Sequence, residues 1–587
     1  MNFFKIFFAA FVAVILAVIF CVVVLIAGVV GAVTAKLSSS QSVDSESVLV
    51  IDLNETIVDT PDVSLLSMID FSTLSIQTRT TTLDAIRAIE CASSDDNIKG
   101  IYIRPRTYGG QSLALLEELR SEIRRFKESG KFVVAYSDSY SQGGYYLASI
   151  ADSLYLQPEG LVMWQGMAVS SMFYKGLLDK LDVDVEVFRP SSCSYKSAVE
   201  PFLRRNMSSE SREQSEALVE SIWGGVVADI AESRTLTTSL LNKSASALSS
   251  FVASGAVASG LIDRLMYEDE LEQVFERYGV ELNKKGRANR VSLNSYATNQ
   301  KIVASTITPP SSKVAVVYAE GTIVDGTGEM GEIGGDALAR VLREVREDED
   351  IKSVVLRVNS PGGSALASDV IWREMTLLRK QKPVVVSMGG YAASGGYYIS
   401  AAADAIVADK FTITGSIGVY GVLFDIEKSL SSKLGITSDT AKSNPSADFM
   451  RSSRPITSTE RQVMIRSVDQ VYDTFTSHVS TGRNLPIEKV RDISQGRVWS
   501  GEDARLLGLV DGIGGIKSAI LIAAERGGVA GNFDIVEKTT LSDDFTSIFA
   551  PITSAYAPCS EYMEVLKGLY PLKSKSGVVM FSPLRVE

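Results

Sequence analysis

The stretch AASGGYYIS (392–400) decides the fold, because SQGGYYLAS (141–149) is a second copy of it earlier in the chain. Other pairs follow in nearly the same register: VLVIDLNETIVD (48–59) with VAVVYAEGTIVDG (314–326), IKGIYIRP (98–105) with IKSVVLRV (351–358), Arg212 and Arg234 with Arg461 and Arg483, and GLID (260–263) with GLVD (508–511). From the second to the last of these pairs, the offset falls only from 253 to 248 residues, which small insertions and deletions explain. The chain therefore contains an internal duplication.

Each copy alternates short apolar runs with helical patterns. Runs such as VAVVYA (314–319) and PVVVSM (383–388) are rich in β-branched residues, whereas DALARVLREVRED (336–348) has helical periodicity. Buried strands that alternate with helices are typical of a parallel sheet with helical crossovers. A helix is also predicted over Glu460–Val479, where one face would carry Met464, Val468, Tyr472, Phe475 and Val479. We therefore predict an α/β fold built from two tandem, duplicated domains.

The repeat also gives the domain boundaries. We predict an N-terminal domain over 48–285 and a C-terminal domain over 313–540. Residues 286–312 are rich in Ser, Asn and Thr and contain Pro309-Pro310, which is typical of a linker. The tail over 541–587 ends in FSPLRVE and stays unassigned.

Composition excludes several classes of function. The 587-residue chain has 58 basic and 70 acidic side chains, so its net charge of −12 argues against a nucleic-acid partner. Its one histidine, His478, excludes zinc hydrolases of the HExxH kind, which need two. A Ser-His-Asp triad would require His478 as its base, but its place beside Phe475 on the predicted helix indicates a structural role. The four cysteines have no CxxC or metal-like spacing, and we predict no metal or other cofactor.

The N-terminus is predicted to be a membrane anchor, residues 1–36. Ile6–Val33 contains 28 residues without a charge, whereas a bilayer core needs about 20 and a cleavable signal core has about 7–15. The sequence AVTA, ending at Ala35, could serve as a cleavage site, so removal of the anchor stays open. Lys5 precedes the span and Lys36 is soon followed by acidic residues, which favours a cytoplasmic N-terminus. In a bacterium this predicts a single-pass inner-membrane protein with periplasmic domains.

The first candidate for chemistry is Ser394, at the start of the helix that follows PVVVSM. Its hydroxyl could cap the helix, and backbone N–H groups there could stabilise an oxyanion. In the first copy Gln142 stands at this position, while both flanking glycines and both tyrosines are kept. Ser394 is therefore either a helix cap or a nucleophile.

The second candidate shows the opposite asymmetry. Lys196 lies in SYKSAVEPF among apolar residues, and at the repeat offset the second copy has Phe449. A solvated lysine, with a pKa near 10.4, would be a poor base at neutral pH, but burial would lower that pKa. Taken alone, Lys196 would be interpreted as a surface residue. Because each copy keeps one of the two residues, we predict a composite site in which Ser394 and Lys196 meet.

Other residues fit acyl transfer. In NSPGGS, Gly362 and Gly363 could bring N–H groups close to a substrate carbonyl, and Gly395 could supply another donor. Ser416, in TGSIG, could orient the lysine or the nucleophile, although a turn-forming serine would look the same. The first copy has Trp164 at that position.

At this point the residues resemble a known family. YKSAVEPF, NSPGG, ASGGYYIS and TGSIGV together are similar to the signal peptide peptidase A family, also called protease IV, in its long duplicated form; the resemblance covers roughly 48–540 and the anchor. It implies two Clp-protease/crotonase-like units in a bowl-shaped homo-oligomer, a tetramer. It also implies that Ser394 is the nucleophile, Lys196 the general base and Ser416 a neighbour of that dyad. The implied task is the degradation of released signal peptides in the membrane.

Three functions compete. The leading hypothesis is a membrane-anchored serine endopeptidase that binds lipid through its N-terminal helix and cleaves signal peptides and similar hydrophobic peptides through an acyl-enzyme. The second is a crotonase-like acyl-CoA enzyme, which would need catalytic carboxylates and a CoA pocket and has no use for an anchor. The third is a non-catalytic membrane scaffold in which both glycine-rich turns are relics.

Overall fold

Both halves of the chain fold around a β-sheet whose central strands are parallel. The computed structural model describes residues 43–61, 69–70, 75–76, 79–105, 111–305, 310–540 and 579–581. The predicted anchor and most of the tail after 541 lie outside these residues. Within the described part of the chain, no helix has the length and apolar character needed to cross a membrane.

The first half contains a six-stranded, wholly parallel sheet in the order β10-β8-β7-β6-β1-β11. The strands of the first half, inside and outside this sheet, are β1 (Ser47–Asp52), β2 (Ile57–Val58), β3 (Ile69–Asp70), β4 (Ser75–Ile76), β5 (Thr80–Thr81), β6 (Ile98–Arg104), β7 (Phe132–Tyr140), β8 (Ser153–Val162), β9 (Asp184–Phe188), β10 (Arg264–Leu265) and β11 (Asn289–Ser292). Its helices are α1 (Thr82–Ser94), α2 (Leu113–Lys127), α3 (Gln142–Ala148), α4 (Lys175–Lys180), α5 (Glu200–Leu203), α6 (Ser209–Arg234), α7 (Thr238–Ala247), α8 (Ala253–Ala258), α9 (Leu271–Arg277) and α10 (Leu293–Ser305).

The second half repeats this plan in the order β21-β19-β17-β15-β12-β23. Strand β18 also pairs with β17, β22 pairs with β18, and β21 at the edge is antiparallel. Its strands are β12 (Lys313–Glu320), β13 (Thr322–Val324), β14 (Glu332–Gly334), β15 (Ile351–Ser360), β16 (Gly362–Ser364), β17 (Val384–Ala393), β18 (Ala405–Ala408), β19 (Ile413–Gly415), β20 (Gly421–Asp425), β21 (Val498–Ser500), β22 (Gly512–Ile513), β23 (Asp534–Lys538) and β24 (Val579–Phe581). Its helices are α11 (Gly335–Glu347), α12 (Ala365–Arg379), α13 (Gly395–Ser400), α14 (Glu427–Leu434), α15 (Ser458–Arg483), α16 (Ile487–Ile493), α17 (Gly501–Leu507) and α18 (Ile516–Arg526).

The structure confirms the predicted parallel sheets and the helix predicted over 460–479. That helix is α15, which begins after a capping box formed by Thr457 and Glu460. Its predicted apolar face is buried in the second-half core, namely Met464, Val468, Tyr472, Phe475 and Val479. The first half has a helix of the same length, α6, with 26 residues.

The predicted linker requires a correction. Within 286–312, strand β11 pairs in parallel with β1 and extends the first-half sheet, and helix α10 follows it. Leu293 and Tyr296 are buried in the first-half core, and the Tyr296 hydroxyl donates a 2.9 Å hydrogen bond to Asp95. These few apolar contacts fold a segment whose composition is otherwise polar.

The two halves are held together by direct contacts. Strand β9 pairs antiparallel with β20 of the other half, and Lys196 follows eight residues after the last residue of β9, Phe188. Deeper in the interface the buried Arg357 guanidinium lies 2.9 Å from Asp59 and 2.7 Å from Glu118, both from the first half. The pairing of β9 with β20 brings the Lys196 loop to the second half.

Candidate active site

Ser394 lies between strand β17 and helix α13 at a sharp turn of the backbone. Its φ of 57° and ψ of −115° are unusual for a residue with a side chain, and such conformations cluster at functional sites. The Ser394 N–H donates to the carbonyl of Gly415 at 2.8 Å, but its side chain makes no capping bond to helix α13. The interpretation of Ser394 as a mere helix cap is therefore wrong.

Glycines after Ser394 allow the helix to start against the β15–β16 turn. A Cβ atom at Gly396 would lie 2.7 Å from the Ser360 carbonyl oxygen, and one at Gly395 would lie 3.2 Å from the Gly363 nitrogen. The first distance is too short for a real Cβ atom, and the second is tighter than nearly all real Cβ contacts. The glycines therefore permit the close approach of Ser394 to the NSPGGS turn.

Lys196 reaches Ser394 from the other half of the chain. Lys196 is 1% exposed. Its Nζ atom donates a hydrogen bond to Ser394 Oγ at 2.8 Å, and it also donates to the hydroxyl and the carbonyl oxygen of Ser416, both at 2.9 Å. Burial lowers the pKa of Lys196 to about 7, and the charge interaction with Cys193 opposes this shift. A large fraction of this amine is therefore neutral near pH 7, as a general base requires.

Ser416 contacts the lysine rather than the nucleophile. It follows strand β19, its N–H donates to the carbonyl of Arg497 at 2.7 Å, and its hydroxyl lies 3.4 Å from the Gly496 carbonyl. The hydroxyl can thus accept from Lys196 and donate to Gly496. This arrangement orients the Nζ atom toward Ser394.

The candidate oxyanion glycines lie on strand β16 and at the start of helix α13. The Gly362 N–H donates to Ser360 Oγ at 3.2 Å, while Gly363 and Gly395 face each other closely. On its other edge β16 pairs antiparallel with β24, where Gly362 lies opposite Phe581 and Ser364 opposite Val579. An extended segment of the chain can therefore add to this edge.

His478 lies on α15 in an aromatic environment. Its ring stacks on Trp372 with centroids 3.5 Å apart, and Nε2 lies 3.4 Å from Asp369 Oδ1. These contacts explain the histidine as a packing residue. Among the residues that the structure describes, no group of three or more His, Cys, Asp or Glu side chains could hold a metal ion.

The equivalent positions of the first half are filled by tertiary contacts. The Gln142 side chain donates to the Gly166 carbonyl at 3.1 Å and accepts from the Gly166 N–H at 3.0 Å. Trp164, in the place of Ser416, is fully buried and donates to the Leu241 carbonyl at 2.9 Å. The first half therefore keeps the framework of the site without its hydroxyls.

Two residues that touch the Lys196 loop were not singled out from the sequence. A Cβ atom at Gly496 would lie 2.6 Å from Lys196 Cβ, so this glycine is in direct contact with the lysine. The buried Gln214 side chain donates to the carbonyl of Tyr195, the residue before the lysine, at 2.8 Å. The local sequence gives no signal for either residue, and comparison of the two copies shows only that both positions differ between them.

Comparison with known proteins identifies the family of this chain. The model of Peptidase family S49 matches residues 125–282 and 376–530, more than half of the chain. The chain belongs to peptidase family S49. One matched segment of this S49 serine protease contains Lys196 and the other contains Ser394. The Clp protease model matches residues 319–410, in keeping with Clp-protease-like α/β domains.

Individual relatives extend the match over most of the S49 peptidase. "Protease 4" of Haemophilus influenzae is 36% identical over 496 residues, covering 82% of this chain and 79% of the relative. "Protease 4" of Salmonella typhi is 37% identical over 501 residues, covering 83% and 79%. "Putative signal peptide peptidase SppA" of Enterococcus faecium is 36% identical over 217 residues, covering 36% and 62%. The chain thus belongs with the SppA, or protease IV, proteins, and the acyl-CoA enzyme and scaffold alternatives are not supported.

Proposed function

We propose that this S49 peptidase is a membrane-anchored endopeptidase that cleaves signal peptides and similar hydrophobic peptides with a Ser394–Lys196 dyad. The observation that carries the proposal is the 2.8 Å hydrogen bond from Lys196 Nζ to Ser394 Oγ. Nucleophile and base need this separation for proton transfer. The lowered pKa of Lys196, about 7, supports the same role.

The reaction would proceed in two steps. Neutral Lys196 takes the hydroxyl proton as Ser394 Oγ attacks the scissile carbonyl, and the resulting ammonium gives that proton to the leaving amine as the C–N bond breaks. Lys196 then takes a proton from water, which attacks the acyl-serine ester. The acid product leaves and Ser394 regains its proton. Ser416 holds Nζ in position throughout, since it accepts from Nζ at 2.9 Å.

Backbone N–H groups would stabilise the negative charge on the tetrahedral intermediate. We assign this role to Gly395, which follows Ser394 in the chain, and to Gly363, which lies against Gly395. The predicted third donor, Gly362, already donates to Ser360 Oγ at 3.2 Å. It would contribute if that hydroxyl turned away on substrate binding.

A substrate would bind as an extended strand along β16. The antiparallel pairing of β24 with Gly362–Ser364 supports this, because it shows an extended segment paired with the strand that carries Gly363. Main-chain hydrogen bonds of this kind recognise peptides with little dependence on their side chains. Such recognition suits a protease that degrades peptides of varied sequence.

The location and assembly belong to the same proposal. The charge-free stretch Ile6–Val33 would anchor the chain in the inner membrane, with the catalytic domains in the periplasm. Released signal peptides would reach the site from the same membrane. The protein would act as a bowl-shaped homo-oligomer, a tetramer, as the family resemblance implies.

Cleavage of a synthetic signal peptide by the detergent-solubilised protein tests the proposal. We expect the Ser394→Ala and Lys196→Ala variants to lack activity, while the exposed controls Ser246→Ala and Lys243→Ala keep it. All four should fold and show the same oligomeric state. Cleavage at the wild-type rate by Ser394→Ala or Lys196→Ala would overturn the proposal.

A further inference from the structure

A short segment of the second half, Gln495–Val498, lies between the Lys196 loop and Ser416. The Tyr195 N–H donates to the Gln495 carbonyl at 3.1 Å, and the Ser416 N–H donates to the Arg497 carbonyl at 2.7 Å. Gly496 sits against the lysine backbone between these two bonds. The segment therefore contacts both the proposed base and the serine that orients it.

One buried side chain connects this segment to the lysine loop. Gln214, on helix α6, is 1% exposed, and its Nε2 donates to the Tyr195 carbonyl at 2.8 Å and to Ser197 Oγ at 3.0 Å. Its Oε1 accepts from the Val498 N–H at 3.3 Å. A single carboxamide thus holds the residues on both sides of Lys196 and the end of the 495–498 segment.

The duplication shows that these contacts go with the lysine. In the register set by Arg212 and Arg461, the second-half counterpart of Gln214 is Val463, which is 42% exposed. In the register set by GLID and GLVD, the first-half counterpart of Gly496 is Leu248, which has a φ of 50° and is 50% exposed. The glutamine and the glycine therefore occur where a lysine docks, and other residues replace them where none does.

The contact at Gly496 explains why leucine could not stand there. Gly496 has a φ of 82° and Leu248 a φ of 50°, both in the left-handed region, so the backbone path is similar in the two halves. A Cβ atom at Gly496 would lie 2.6 Å from Lys196 Cβ and 2.8 Å from its Cα. Any side chain would therefore push the lysine loop away from Ser394.

We propose that Gln214 is a positioning residue for the proposed base, which keeps Lys196 Nζ within reach of Ser394 while Gly496 provides the space. This inference rests on the proposed function of Lys196. A shift of the loop by about 1 Å would lower the rate about 10²-fold, because proton transfer depends on that distance. A shifted loop would also admit water, and the ammonium form would then be favoured.

The charged and ionisable groups around the lysine loop are on three elements, namely α6, the 495–498 segment and the loop itself. Glu213, next to Gln214 on α6, pairs with Arg497 at 2.7 Å and accepts from the Tyr195 hydroxyl at 2.9 Å. On the lysine loop, Arg189 donates to the Lys196 carbonyl at 3.0 Å, and Cys193 is a buried thiol. A Gln214→Glu substitution would add an unpaired carboxylate to this set, which favours the ammonium form of Lys196.

The test measures kcat and KM against pH for the full-length protein with a signal-peptide substrate. We expect Gln214→Met to lower kcat about 10²-fold with little change in KM. Gln214→Glu should move the pH of half-maximal kcat upward, so that part of its activity returns at alkaline pH. Gln462→Met, at an exposed glutamine of α15, is the matched control and should match the wild type in both respects.

Two results would overturn the inference. Either Gln214→Met keeps the wild-type kcat, or Gln214→Glu loses activity equally at every pH, as a purely structural role would require. If the Gln214 variants do not fold, Gly496→Ala decides in the same assay, with a loss of kcat expected and wild-type kcat contradicting the inference. The Lys196→Ala variant, measured in parallel, separates the two proposals. If Lys196→Ala is active, the proposed function is wrong. If Lys196→Ala is inactive while the Gln214 and Gly496 variants behave like the wild type, only the positioning role is wrong.

Discussion

Lys196 Nζ donates a 2.8 Å hydrogen bond to Ser394 Oγ, although 198 residues separate them and they belong to different copies of the duplication. Within one chain, the pairing of β9 with β20 brings the lysine loop to the second half. A site divided in this way explains why each copy could lose one of the two residues. Neither copy is complete without the other.

The two proposed catalytic residues should act as one unit. We expect Ser394→Ala and Lys196→Ala each to lower kcat by about 10⁴-fold or more, and the double variant to be no slower than the single ones, because removing either residue disables the same step. Single-turnover cleavage of a signal peptide measures this. Effects of the two substitutions that multiply in the double variant would show that the residues act separately.

Burial of Lys196 should cost stability. Its pKa is about 7 in the folded protein and near 10.4 when solvated, so the unfolded state binds more protons between these values, and stability rises with pH across that window. We expect Lys196→Met to increase the free energy of unfolding by roughly 1–4 kcal/mol below pH 7, with the gain vanishing toward pH 10. Thermal unfolding at several pH values checks this. A Lys196→Met variant that is less stable at pH 6 would contradict it.

Arg357 should be essential for joining the two halves. It is 1% exposed and pairs with Asp59 and Glu118, so an Arg357→Ala substitution would leave two buried carboxylates without a cation. We expect a loss of about 3–5 kcal/mol of stability. Arg205→Ala, which removes a mostly exposed pair with Asp179, should cost less than about 1 kcal/mol. Equal melting temperatures for the two variants would be the contrary result.

The predicted anchor can be tested by extraction. We expect full-length protein to stay in the membrane pellet after carbonate treatment, because Ile6–Val33 contains 28 residues without a charge. A chain that starts at residue 43 should be extracted. External protease should digest the catalytic domains in spheroplasts. Full-length protein in the soluble fraction, or domains shielded from external protease, would contradict the proposed location.

The sequence predicts the fold better than it predicts the contacts between the halves. Apolar runs and helical periodicity identify the strands and α15 because they reflect burial within one copy. The segment over 289–305 looks like a linker, since a few side chains such as Leu293 and Tyr296 decide its packing. Gln214 and Gly496 carry no local signal, because their role arises where the lysine loop of one half meets the other. The loss of serine from one copy and lysine from the other was visible because it alters the motif itself.

The pH dependence of Ser394 modification by a fluorophosphonate tests the central claim most directly, since it reports nucleophile activation without peptide binding. We expect the rate of covalent labelling at Ser394, followed by mass spectrometry, to rise about tenfold per pH unit below 7 and then level off, as the pKa of Lys196, about 7, requires. In Lys196→Ala the rate should fall at least about 10²-fold and lose this transition. Labelling of Lys196→Ala at the wild-type rate and with the wild-type pH profile would contradict the assignment of Lys196 as the base.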